Sequence, residues 1–169
     1  GLVVAAVGYG SSVLFFTISI GIGLSIAASA LVSPAIGAGN TGRARRLSTN
    51  AHLSSFAVSV IAAILVWIAI PPILTLLGAT GRAHDLASTY LRILVPSTPF
   101  LSSAMTSAAV MRSAGDARRA MNVTLSIAVI NTVLDLVLIY WAGYGVEGAA
   151  VASFIARAVA MGVGFYGVI

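Results

Sequence analysis

No charged residue interrupts the chain from Gly1 to Gly42, and four further apolar stretches come after it, each bounded by glycine, proline or charge. A helix rises about 1.5 Å per residue, so about 20 apolar residues cross the hydrocarbon core of a bilayer, which is roughly 30 Å thick. The pattern predicts five helical spans. The first covers about 8–37 and is long enough to be tilted; Pro34 and the cluster Gly37/Gly39/Gly42 end it. The second covers about 47–70 and is expected to stop at Pro71-Pro72, because two prolines remove consecutive backbone donors. A polar connection, 78–85, precedes a third span over about 86–112, in which Pro96 and Pro99 predict a kink. The turn 113–116 leads to a fourth span, 120–141. A hairpin at Gly143-Tyr144-Gly145 leads to a fifth, 146–169.

Charge gives these spans a direction. Arg43, Arg45 and Arg46 occupy the first connection, and Arg112, Arg118 and Arg119 surround the third. The second holds Arg82 and Asp85, and the fourth only Glu147. The positive-inside rule places the first and third connections in the cytoplasm and the other two outside. Residue 1 then lies outside, so the chain is expected to begin within a longer protein, after one more span. Trp67, Tyr140, Trp141 and Tyr144 fall near the expected outer ends, where aromatic belts form. The pairs Gly8/Gly10, Gly21/Gly23 and Gly162/Gly164 allow helices to approach closely.

Composition agrees with lipid as the main solvent. The chain is 59% hydrophobic and 8% charged, whereas soluble domains carry roughly 25% charged residues. All of the positive charge is arginine, and several of the arginines fall at the ends of apolar runs, which fits membrane edges better than a nucleic-acid groove. The absence of cysteine excludes a disulfide framework, a thiol nucleophile and a thiolate metal site. His52 and His84 are far apart with no ligand spacing around them, so no metal is expected. The serines of "TISIGIGLS" have no acid or histidine nearby, and no hydrolase can be argued from them. The expectation is a protein that is not an enzyme and needs no cofactor.

Residues 37–42 match the G-x-G-x-x-G pattern of dinucleotide turns. That turn needs a short strand before it and an acid roughly 20 positions later. Here a long apolar helix comes first, and positions 56–64 read "FAVSVIAAI" with no acid, so a glycine-ended helix explains the same letters. "GAGNTGRARRL" and "SAGDARRAM", about 76 residues apart, look alike. Either a two-helix unit is duplicated, or both are glycine-capped exits with basic residues after them.

Asp135 is the strongest chemical signal, a carboxylate within the apolar run "AVINTVLDLVLIYW". An acid inside a span is costly and is by default a site for ions, protons or partners. Low dielectric disfavours its ionised form, so the group can exchange a proton as hydration changes. Asn131 lies one turn deeper on the same face, and Thr124 extends the stripe. Asp135 is about 10 Å below the hairpin, and Ser153 of the fifth span reaches a similar depth. Arg157 lies one turn further in. Asp135, Asn131, Ser153 and Arg157 are expected to line one pocket if Ser153 and Arg157 face the fourth span. Arg157 is open between a cavity role and a structural pairing role, in which it would neutralise Asp135.

Three stretches carry a resemblance: "ALVSPAIGAGNTGRARRL", "LLGATGRAHDLASTYLRILVPSTP" and "VMRSAGDARRAMNVTLSIAVINTVLDLVLIYWAGYGVEGAAVASFIAR". In order and spacing the chain resembles the multidrug and toxic compound extrusion (MATE) transporters over nearly its whole length. The resemblance implies an all-α polytopic bundle: five of the six helices of a MATE-type lobe, helices two to six, with the first helix and the second lobe missing. It implies a multi-pass protein of the plasma or inner membrane that exports drugs or organic cations in exchange for protons or sodium by alternating access. Its partners would be the small-molecule substrate, the bilayer and a second six-helix lobe of the same protein. By the same resemblance Asp135 and Asn131 match the cation-coupling acid and its amide partner, and Ser153 stands where a threonine is common. The alternatives are a lipid-linked oligosaccharide flippase, suggested by Arg157, and a scaffold subunit without transport.

Overall fold

The computed structural model describes residues 1–168 and is all-helical. Helix α1 runs Leu2–Gly37, α2 Thr41–Leu76, α3 Gly81–Leu94, α4 Thr98–Ser113, α5 Ala117–Asp135 and α6 Gly145–Val168. A 3-10 turn, Val95–Ser97, joins α3 to α4, and a π-helical segment, Leu136–Trp141, extends α5. Together they form five helices long and apolar enough to cross a membrane. Position 169 of the expected fifth span lies outside the described residues.

Several boundaries differ from the sequence expectation, each for a physical reason. Leu2–Ala6 are as apolar as the rest of the run, so α1 starts earlier than position 8. The α2 helix starts at Thr41 because Asn40 caps it, its Oδ1 accepting from the Arg43 N–H at 3.0 Å. The three arginines therefore ride on the first turns of α2 rather than in a loop. The stop expected at Pro71-Pro72 does not occur, and α2 continues to Leu76. Ile70 and Leu74, both fully buried, hold that last turn in the core against α1 and α3. Packing against neighbours is what lets spanning helices carry proline. The polar stretch before position 86 is already helical from Gly81. Pro96 and Pro99 do interrupt the third span, as the 3-10 turn between α3 and α4.

The glycine-rich turn has no nucleotide-binding geometry. Gly39 takes φ +69°, its N–H bonds Ile36 O at 2.9 Å, and the Asn40 N–H reaches Ala35 O at 3.0 Å. This is a Schellman exit. The turn at Ala114–Asp116 repeats it: Gly115 at φ +81°, bonds to Arg112 O and Met111 O, and an Asp116 cap on the Arg119 N–H. The α2–α3 turn shares the exit at Leu77–Ala79 but lacks a side-chain cap. A glycine exit thus serves three turns of different sequence, as the capping explanation requires.

Two clusters form the interior. One joins α1, α2 and α3 through Val13, Ile70, Leu74, Leu91 and Leu94; the other joins α4, α5 and α6 through Ala104, Ala108, Met111, Val123 and Ala160. The close approach of α6 to α4 depends on Gly164, where a Cβ would stand 2.9 Å from Ser107 Cβ. Phe15, Phe16, Tyr140 and Trp141 are exposed, as expected of a lipid-facing surface. The α1–α2 and α4–α5 turns lie at the same end, since Thr41, Ala114 and Asp116 line one cavity there. The arginine-bearing connections therefore share one side.

Sidedness is testable, because the chain has no cysteine of its own. With Tyr144→Cys or Ala114→Cys in the full-length protein, an impermeant maleimide should label position 144 in intact cells, and position 114 only after the membrane is opened. The reverse order would invert the topology.

Candidate functional site

Helices α5 and α6 face one another across the hairpin, which is tight enough for Tyr144 N–H to bond Leu138 O at 3.1 Å. One turn apart on α5 are Asn131 and Asp135; one turn apart on α6 are Ser153 and Arg157. The structure joins Asn131 to Ser153: the amide Nδ2 donates to Ser153 Oγ at 2.9 Å. Ser153 therefore faces the fourth span. Asp135 lies next to this bond on α5, half-buried, and its Oδ1 is buried with no hydrogen-bond partner among the described residues. Regular α-helix ends at this residue, and the Ala142 N–H reaches back five residues to Val137 O at 3.0 Å. Such π segments occur frequently at functional sites.

Arg157 does not neutralise Asp135. Among the described residues only His84–Asp85 and Arg119–Asp116 come within ion-pair distance, so the pairing considered from the sequence is absent. Arg157 turns instead to the break between α3 and α4, where Nη1 donates to Ser97 Oγ at 2.8 Å. Ser97 is fully buried and donates its own proton to Leu94 O at 2.6 Å. Magnitudes show how incomplete this arrangement is. An ionised side chain at the centre of a span costs about 2.5–3.5 kcal/mol, whereas an interhelical hydrogen bond in a membrane returns on average about 0.6 kcal/mol. The Ser97 bond orients the guanidinium without compensating its charge.

A second polar cluster was missed from sequence. His52, 8% exposed, places Nε2 2.6 Å from Ser103 Oγ and 3.3 Å from Ser107 Oγ, with Phe165 edge-on at 6.0 Å. The signal was the run Ser102, Ser103, Thr106, Ser107 on α4, which puts four hydroxyls toward the interior. His52 also lines a cavity of about 660 Å³ at the arginine-bearing end, with Arg45, Asp116 and Arg119 at its polar side.

Comparison with known proteins places this geometry. The MatE family model matches residues 2–137, most of the chain. The chain belongs to the MATE family. It is 32% identical over 167 residues to a FAD transporter of Shewanella oneidensis, covering 96% of this chain but 37% of that protein. It is also similar to two solved structures of a multidrug resistance MATE family transporter of the MOP superfamily. The inward-facing form has 30% identity and a TM-score of 0.91, covering 98% of this chain and 38% of the other. The outward-facing form has 30% identity and the same TM-score, covering 96% and 36%. The chain thus spans little more than a third of the relatives it matches. It is a multi-pass membrane protein of a transporter family, not an enzyme.

A double-mutant cycle tests the cross-helix bond. Asn131→Ala and Ser153→Ala should each lower thermal stability in detergent by about 0.6–1.7 kcal/mol. The double variant should fall little further than either single one. Additive losses would show that the two side chains do not interact.

Proposed function

We propose that this MATE chain supplies helices two to six of one lobe of a secondary antiporter. The whole protein exports organic small molecules in exchange for protons or sodium, by alternating access between this lobe and a second one. The observation that carries this reading is Asp135: a carboxylate in a spanning helix, one oxygen buried with no partner among the described residues, one turn from the Asn131–Ser153 bond. A proton or sodium ion completes that oxygen's coordination, and the Asn131–Ser153 bond holds the α5–α6 geometry around it. Occupancy by the cation competes with the organic substrate and biases the lobes toward one side of the membrane. The equal likeness to inward- and outward-facing relatives supports a lobe that moves largely as a unit.

The scaffold alternative loses its main support, because it required Asp135 to be paired with Arg157. The flippase alternative keeps one observation, the uncompensated Arg157, since a guanidinium suits pyrophosphate head groups. The relatives' names span multidrug resistance and FAD, so organic cations and phosphorylated molecules are both within the reading.

Asp135→Asn in the full-length protein, reconstituted in vesicles, should abolish efflux driven by a proton or sodium gradient while leaving insertion intact. Varying pH and sodium separately identifies the coupling ion. Gradient-driven efflux at the wild-type rate in this variant would reject Asp135 as the coupling site.

A further inference from the structure

We propose that Arg157, held by Ser97, is an anion-recognising subsite, and that the molecule this lobe binds carries a phosphate or carboxylate group. The inference rests on the transporter reading and narrows its substrate class. It starts from position. Arg157 lies twelve residues into α6, about 18 Å along the axis from Gly145. A similar length of helix continues beyond it, to Val168. An arginine so placed is beyond easy reach of either membrane surface.

Its surroundings then define what it can bind. Ser97 spends its hydroxyl proton on Leu94 O and so meets Arg157 only as an acceptor. Because Ser97 sits fully buried in the α3–α4 break, it fixes Nη1 in place. Guanidinium has five N–H donors, and a single one is used here among the described residues. No carboxylate stands within 4 Å of it among those residues. A hydroxyl neighbour orients the group but leaves its charge unanswered. What completes it is a planar or tetrahedral oxyanion, for which two parallel N–H···O bonds are the matching geometry. The lobe thus presents two separate polar points to a ligand: a carboxylate on α5 and a guanidinium on α6. A purely cationic molecule satisfies only the first.

The test is equilibrium binding to the purified full-length protein without any ion gradient, which keeps it independent of coupling through Asp135. Three probes are compared: FAD as a soluble pyrophosphate, farnesyl pyrophosphate as a lipid-tailed one, and tetraphenylphosphonium as an organic cation. The quantity read is the ratio of anion to cation affinity. Arg157→Gln should lower that ratio at least about tenfold, as loss of a bidentate charged contact implies. Arg157→Lys should recover part of it, and Ser97→Ala should lower it less than Arg157→Gln. Should Arg157→Gln not fold, the lysine and Ser97 variants read the same ratio. Preference for FAD identifies a soluble cargo and preference for farnesyl pyrophosphate a lipid one; either supports the subsite. Wild-type protein that binds neither anion, or a ratio unmoved in folded variants, overturns it. The latter result would show that an acid elsewhere in the protein neutralises Arg157.

Discussion

Polar groups in the hydrocarbon interior have no water to bond with, so each must find a partner in its own helix, in a neighbour or in a ligand. Most hydroxyls here take the first course. Thr17 bonds Val13 O, Ser48 bonds Ala44 O and Thr106 bonds Ser102 O, each one turn back. These bonds satisfy the side chain but position nothing. The bonds that position helices run between them: Ser29 with Ser113, His52 with Ser103, Asn131 with Ser153 and Arg157 with Ser97. Together they tie α1, α2, α5 and α6 to the third span, or to each other. Apolar packing could be met by several registers of these helices; specific polar bonds such as these select one.

The spans were legible because a bilayer demands long apolar runs, and few other patterns produce them. Their ends were less legible. Pro71-Pro72 looked like a stop because its local cost is certain, but Ile70 and Leu74 bury completely on either side of it, and tertiary packing outweighs the lost donors. The arginines after Gly42 looked like loop residues because charge is rare in a span. Asn40 is a strong cap, though, and it starts the helix before them. In both cases the deciding interaction was with a residue that propensity alone does not weigh.

The candidate site was half legible. Asn131 and Asp135 stood out because each is a polar intruder on an apolar helix, at a spacing that shares a face. The structure adds partners from the third span, and these could not have been read in advance. Ser97 lies in a stretch rich in serine, threonine and proline, where any hydroxyl can bond its own backbone. That it accepts from an arginine 60 positions later depends on how α6 packs across the α3–α4 break. His52 has no ligand spacing around it, but that is a test for metals and says nothing about hydrogen bonds to a neighbouring helix.

The separation of Asp135 from Arg157 is the feature that most constrains mechanism. Opposite charges one helix apart in low dielectric attract strongly, and side-chain flexibility would ordinarily bring them together. Here Ser97 draws the guanidinium toward the α3–α4 break, and Asp135 is left with an oxygen that has no partner among the described residues. A closed ion pair would be the more stable arrangement for a static membrane anchor, because it would cancel both charges at once. Keeping the charges apart carries a standing cost in stability, which the occupants proposed above, a cation at Asp135 and an anionic group at Arg157, would relieve. Under that proposal the occupants must also leave, and a site that is incomplete without them, yet does not collapse into an Asp135–Arg157 pair when they go, is suited to repeated binding and release.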